Sequence, residues 1–182
     1  MLSRQTARFV LCDATAQWHQ RVDDVFAAVD LTDRLAYVRF LCAQAAAHLP
    51  AEQALEAHGI AAVIPDWPSR RRAHLIRNDL LALDLDVPPL EPEPIFSGVA
   101  ALLGATYVLE GSRLGGAMLL RSVPAQFPTA FLSAGTSMAW RDLISLLDQR
   151  LCTRIDIDEA IQAACQTFAL FERSGKRLLP SE

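Results

Sequence analysis

Tyr107-Val108-Leu109-Glu110-Gly111-Ser112-Arg113-Leu114-Gly115-Gly116 sits inside a long apolar segment, Ile95 to about Val123, that otherwise reads as helix. Interior glycines oppose that reading, because each costs roughly 0.5–1 kcal/mol relative to alanine. Three of them in so short a span are expected to loosen or kink the helix. Gly111 and Gly115 share one helix face, and Gly104 and Gly116 flank the same region. Two readings follow. Small residues at this spacing allow two helices to pack closely. They also expose backbone against which a flat ligand can lie, with the Ser112 hydroxyl and the Arg113 cation beside it.

A second segment stands near the N-terminus: Leu11-Cys12-Asp13-Ala14-Thr15-Ala16-Gln17-Trp18-His19. Val10, Ala14, Trp18, Val22, Val25, Phe26 and Val29 recur at helical spacing around it. His19 is mid-helix, one turn after Thr15 and flanked by Trp18 and Val22. A histidine beside an apolar helix face is usually structural. A neutral imidazole there can also offer one nitrogen to iron, provided the other finds a carboxylate or carbonyl. The remaining histidines fit blander roles. His48 and His58 read as helix ends, and His74 follows the three arginines Arg70-Arg71-Arg72 as an exposed residue. Taken together, the two segments suggest a haem held between two helices.

The rest of the chain reads as helix throughout. A helix is expected from about Thr32, as N-cap, to His48, with Pro50 ending it. Pro65 to Ser69 reads as a loop, with Ser69 capping a helix that carries Leu75, Ile76, Leu80, Leu81 and Leu83. The arginine cluster is expected in its solvated first turns. Val87 to Pro94 is too proline-rich for a helix interior and reads as a connector. Met138 to about Leu151 and Asp156 to about Arg173 are two further helices. No hairpin or internal repeat stands out. The expected fold is an all-α, single-domain bundle of roughly six to eight helices over residues 1–182.

Composition narrows the function classes. The chain has 182 residues, 52% hydrophobic and 21% charged, with a net charge of -4. That balance argues against a nucleic-acid surface. No stretch approaches the ~20 apolar residues of a membrane span. The four cysteines, Cys12, Cys42, Cys152 and Cys165, form no CxxC motif and read as reduced, buried thiols of a cytoplasmic protein.

On these residues the chain resembles the haem oxygenase family. The Thr15 and His19 spacing resembles that family's proximal-helix pattern, and Gly111-Ser112-Arg113-Leu114-Gly115-Gly116 resembles its glycine-rich distal helix. The wording Tyr-Val-Leu-Glu-Gly-Ser-x-Leu-Gly-Gly is most similar to the bacterial members associated with bacteriophytochromes. The resemblance implies a haem oxygenase-like helical bundle and cleavage of haem by O2 and supplied electrons to biliverdin, carbon monoxide and iron. Haem is then substrate and cofactor, the electron donor a reductase or ferredoxin, and a phytochrome a candidate recipient. It implies His19 as iron ligand. Thr15, Trp18, Arg8, Arg113, Gly111, Gly115, Gly116 and Phe168 are the implied haem-binding residues, and Ser112, Gly111 and Gly115 the implied catalytic group. Many relatives carry an aspartate where this chain has Ser112, and basic residues where it has Cys12 and Ala16. Arg8, Arg21, Arg113 and Arg141 are the candidate substitutes toward the haem propionates. A non-catalytic tetrapyrrole-binding protein of the same fold is the alternative. A plain interaction bundle whose glycines serve packing is the third reading.

Overall fold

The computed structural model describes residues 6–135 and 137–179, and every regular element among them is helical. The helices are α1 (Ala7–Phe26), α2 (Arg34–Ala57), α3 (Ile60–Val63), α4 (Trp67–Arg70), α5 (Ala73–Ala82), α6 (Gly98–Leu119), α7 (Ser137–Arg150) and α8 (Arg154–Leu178). A 3-10 turn, Leu120–Ser122, closes α6. α8 is the central post, packed along α1, α2 and α6. Its start is fixed by a capping box. The Thr153 hydroxyl accepts the Asp156 N–H while the Asp156 carboxylate accepts the Thr153 N–H, a motif worth about 1 kcal/mol.

One apolar cluster joins Leu11, Leu55, Leu103, Leu147 and Phe171 from five helices. A second gathers Tyr37, Phe40, Leu41, Ile76, Leu80 and Phe131 around α2, α5 and the loop after α6. The buried Asp79 carboxylate ties that loop down by accepting the N–H groups of Ala130 and Phe131. Tyr37 donates to the Pro128 carbonyl at 2.6 Å.

Several sequence expectations are corrected. Pro50 does not end α2, which runs on to Ala57. Proline removes the N–H that would bond the Ala46 carbonyl. Here the N–H of Glu91, on the proline-rich connector, donates to that carbonyl at 2.9 Å. The connector is strapped across the bundle, its Glu91 paired with Arg173 and Arg177 of α8. Asp33, not Thr32, caps α2 by accepting the Ala36 N–H. His48 therefore lies inside α2, buried, rather than at its end. α5 starts at Ala73, and Ser69 sits within α4. Arg70 and Arg72 are buried rather than solvated. Cys12 and Cys152 are exposed rather than buried. The expected helix from Met138 begins at Ser137, beside residue 136, which lies outside the described residues.

Candidate functional site

Contacts along α8 set the register of the two helices that carry the sequence motifs. Gly104 of α6 lies on the Ala160 backbone, and Val108, one turn on, joins Ala164 and Phe168. On the α1 side, His19 meets Phe168, Arg21 meets Glu172, and Val25 meets Gly175. Both helices thus advance along α8 in the same direction. His19 and the Gly111–Ser112 step come level, on either side of Phe168. α1 and α6 each pack on α8 and little on each other, so the space between their exposed faces at this height is the candidate cleft, floored by the cluster of Val108, Ala164 and Phe168 with Trp18, Val22 and Tyr107.

His19 projects from its helix with 63% of its side chain exposed. Its Nδ1 lies 2.9 Å from Oδ2 of Asp23, and its ring stands edge-on to Phe168 at 5.7 Å between centroids. Nε2 is left open. Trp18, half-buried, is covered by the Arg21 guanidinium at 4.5 Å, and Arg21 pairs with Glu172. Thr15 is buried and its hydroxyl donates to the Leu11 carbonyl at 2.7 Å, so it shapes α1. Arg8 is exposed on the same face of α1 as Cys12, Thr15 and His19. Cys12 hydrogen-bonds Tyr107, whose phenol is pushed up to about 12, mainly by burial and then by Cys12. That contact ties α1 to α6.

The glycines separate into different roles. A Cβ on Gly104 would collide with the Ala160 carbonyl, so this glycine is required for helix packing. One on Gly116 would press on Leu132 at 3.4 Å. One on Gly111 would make ordinary contact with the Trp140 ring at 3.9 Å. Gly115 faces open space.

Ser112 and Arg113 point to the other side of α6. Arg72 donates from Nη2 to the Leu109 carbonyl at 2.6 Å and to Oγ of Ser112 at 2.7 Å, and Ser112 donates to the same carbonyl at 2.7 Å. Arg113 is buried, with Nε donating to Glu110 at 3.0 Å and Nη2 donating to the Arg70 carbonyl. Its cation therefore does not face the cleft. Arg70 bridges Asp66 and Glu110. The longer of those contacts, 3.5 Å, is an ion pair without a good hydrogen bond, and Oε2 of Glu110 is otherwise unpartnered. Glu52 accepts the N–H groups of Arg72 and Ala73 and a hydrogen bond from His48. Burial, and next the Arg113 charge, hold Arg72 down to about 9.

Sequence reasoning missed this polar layer behind α6. One signal was available: His48 and Glu52 are ionisable and one turn apart in an alanine-rich, otherwise apolar stretch. It also left the partner of His19 unnamed, although Asp23 stands one turn along the same helix. A cavity of about 240 Å³ lies elsewhere, lined by Ile64, Asp66, Arg70, Leu143 and Leu146 among others, and borders neither His19 nor Gly115. The described residues hold no cluster of three or more histidine, cysteine or carboxylate groups for a bare metal ion.

No protein-family model matches the chain. A heme oxygenase of Xanthomonas campestris pv. campestris (strain 8004) is 34% identical over 112 residues, 58% of this chain and 67% of that one. The NO- and CO-bound heme oxygenase of Neisseria meningitidis superposes with a TM-score of 0.83 at 22% identity, over 96% of this chain and 92% of that one. The second likeness is one of fold.

Proposed function

Since the chain belongs to the haem oxygenase family, we propose that it cleaves haem with O2 and supplied electrons to biliverdin, carbon monoxide and iron. The carrying observation is His19, whose side chain is 63% exposed and whose Nδ1 is held by Asp23, with Nε2 making no hydrogen bond to the described residues. A single nitrogen in this setting fits a metal already bound by a macrocycle, and does not fit a bare ion. The residues of the cleft therefore fit haem, with His19 as the iron ligand.

Bound there, haem supplies both the O2-activating iron and the carbon skeleton that is cut. The protein supplies position. Asp23 fixes the imidazole tautomer with Nδ1 protonated, which leaves the lone pair on Nε2. Phe168, edge-on to the imidazole, limits its rotation. Gly115 leaves room on the distal side. Arg8, exposed on the His19 face of α1, would offer a cation to a haem propionate. Arg113 is committed elsewhere and is not part of this haem contact. Ser112 holds the Leu109 carbonyl together with Arg72, and so acts by shaping α6 rather than by transferring a proton.

The α6 wording supports a finer assignment to the bacterial subgroup that makes biliverdin for a phytochrome. No described helix is long and apolar enough to cross a membrane. Cys12, Cys42 and Cys165 form no disulfide, which supports a cytoplasmic setting, and a reductase or ferredoxin is the electron donor we assign. The test is hemin followed by a reductant in air, read at the Soret band and at biliverdin absorbance. Loss of the Soret band with a rise of biliverdin is expected. A stable complex without turnover would identify a tetrapyrrole carrier instead. Absence of any complex would leave the packing reading.

A further inference from the structure

One face of α6 changes character along its length. It contains Gly104, Tyr107, Gly111, Leu114, Gly115 and Met118, which recur at helical spacing. Its first half is covered, with Gly104 on Ala160 and Tyr107 against Trp140. Its second half is bare. Gly115 meets nothing, Leu114 is 45% exposed and Met118 is 70% exposed. Solvent-facing positions of a helix are usually polar. Here an apolar ledge runs on from the Gly111 step that stands level with His19.

Distances along the helix fit a porphyrin edge. Leu114 and Gly115 lie roughly 5–6 Å beyond Gly111, and Met118 about 10 Å, at 1.5 Å per residue. Helical side chains lean toward the N-terminus, so the Met118 thioether covers the turn that contains Gly115. Methionine adapts its shape to a flat apolar partner. The cation and hydrogen-bonding groups Arg8, Cys12 and Tyr107 lie at the opposite end.

We propose that Leu114 and Met118 are specificity-determining residues of the haem site. They receive the methyl and vinyl periphery of the macrocycle, and so limit its rotation about the iron–His19 axis. This rests on the haem-cleavage reading above. It assigns these two residues a part in choosing which meso carbon lies beneath the distal helix.

The test uses Met118→Lys, Leu114→Lys and Met118→Leu, with Leu81→Lys as control. Leu81 is 72% exposed on α5, away from the cleft. Quenching of tryptophan emission by hemin gives Kd. The haem methyl proton resonances of the ferric cyanide complex report rotation without turnover. Each lysine variant on α6 is expected to weaken hemin roughly tenfold, the loss of one well-buried apolar contact. Each should also add a second set of methyl resonances and broaden the biliverdin isomer distribution. Met118→Leu and Leu81→Lys should match the parent. Parent-like Kd and resonances in both α6 lysine variants would overturn the proposal while leaving the function intact. A shift in oligomeric state at unchanged Kd would make the ledge a contact between copies of the chain, and would also overturn it. A parent protein that binds no hemin would overturn both readings.

Discussion

Nδ1 of His19 and Oδ2 of Asp23 stand 2.9 Å apart, one turn along the same helix. The pair selects the tautomer that leaves Nε2 as the electron-pair donor. Asp23→Asn keeps the volume and removes the charge. The expected result is a complex that still binds hemin, with a lower iron–histidine stretching frequency in its ferrous form by resonance Raman. His19→Ala should lose that band, and added imidazole should restore it. Retention of the band in His19→Ala would move the ligand to another residue.

The glycines of α6 should respond in opposite directions. Gly104→Ala drives a methyl into the Ala160 backbone, and overpacking of this kind costs about 3 kcal/mol when the backbone cannot move aside. Gly115→Ala meets nothing and relieves a helix-interior glycine, so it should raise stability by up to about 1 kcal/mol. Thermal unfolding without ligand checks both. Gly115→Leu should fold like Gly115→Ala and lose hemin affinity, because the branched side chain fills the cleft. Equal hemin affinity in Gly115→Ala and Gly115→Leu would show that this space is not used.

Ser112 is already saturated, giving its proton to the Leu109 carbonyl and receiving one from Arg72. Ser112→Ala leaves Arg72 bonded to the same carbonyl, so a loss of about 1 kcal/mol is expected, with hemin Kd unchanged. Arg72→Met removes both bonds to α6 and leaves Glu52 and Glu110 with less compensating charge. Its expected cost is larger, about 3 kcal/mol, because carboxylates stay buried beside it. Urea titrations of both variants check the order. Ser112→Asp places a carboxylate where the Arg72 guanidinium can pair with it, and should fold at least as well as the parent.

How far the sequence could be read depends on what each signal measures. Helical periodicity reports which face is apolar, and that sufficed for the all-helical bundle and for the glycine segment of α6. Pro50 failed as a stop signal because the missing donor comes from Glu91, forty-one residues on in the chain. No local pattern encodes such a partner. Arg70 and Arg72 look like ordinary solvated charges, and become interior only because Glu110, Glu52 and the Leu109 carbonyl converge on them from other helices. His19 and Gly115 stood out because each breaks a local rule, a histidine amid apolar residues and a glycine mid-helix. Their common height on α8 required Phe168 and Ala160 as markers.

His48 gives the fold a pH dependence. It is fully enclosed, its Nε2 donates to Glu52 at 3.0 Å, and its Nδ1 has no partner. A second proton on Nδ1 would leave an unpaired polar group and a buried charge beside Arg72. Burial is the main reason its acidity is shifted from 6.5 to about 4, with the Glu52 hydrogen bond opposing that shift. The unfolded chain therefore takes up a proton at higher pH than the folded one does. Stability is complete above pH 6.5 and declines as the pH falls from 6.5 toward about 4, by up to about 3 kcal/mol. Glu52, whose carboxyl lies below its ordinary 4.5 through its His48 and backbone hydrogen bonds despite desolvation, adds a further loss at lower pH. His48→Gln keeps a donor toward Glu52 and has no group that titrates in this window. Urea unfolding across the window should show the parent losing stability while His48→Gln stays nearly flat until Glu52 begins to protonate. Equal slopes in the two proteins would place the acid sensitivity elsewhere, and Asp79, whose pKa is raised by burial beneath the Ala130–Phe131 turn, would not account for it, because a carboxyl with a raised pKa destabilises the fold at high pH and favours it as the pH falls.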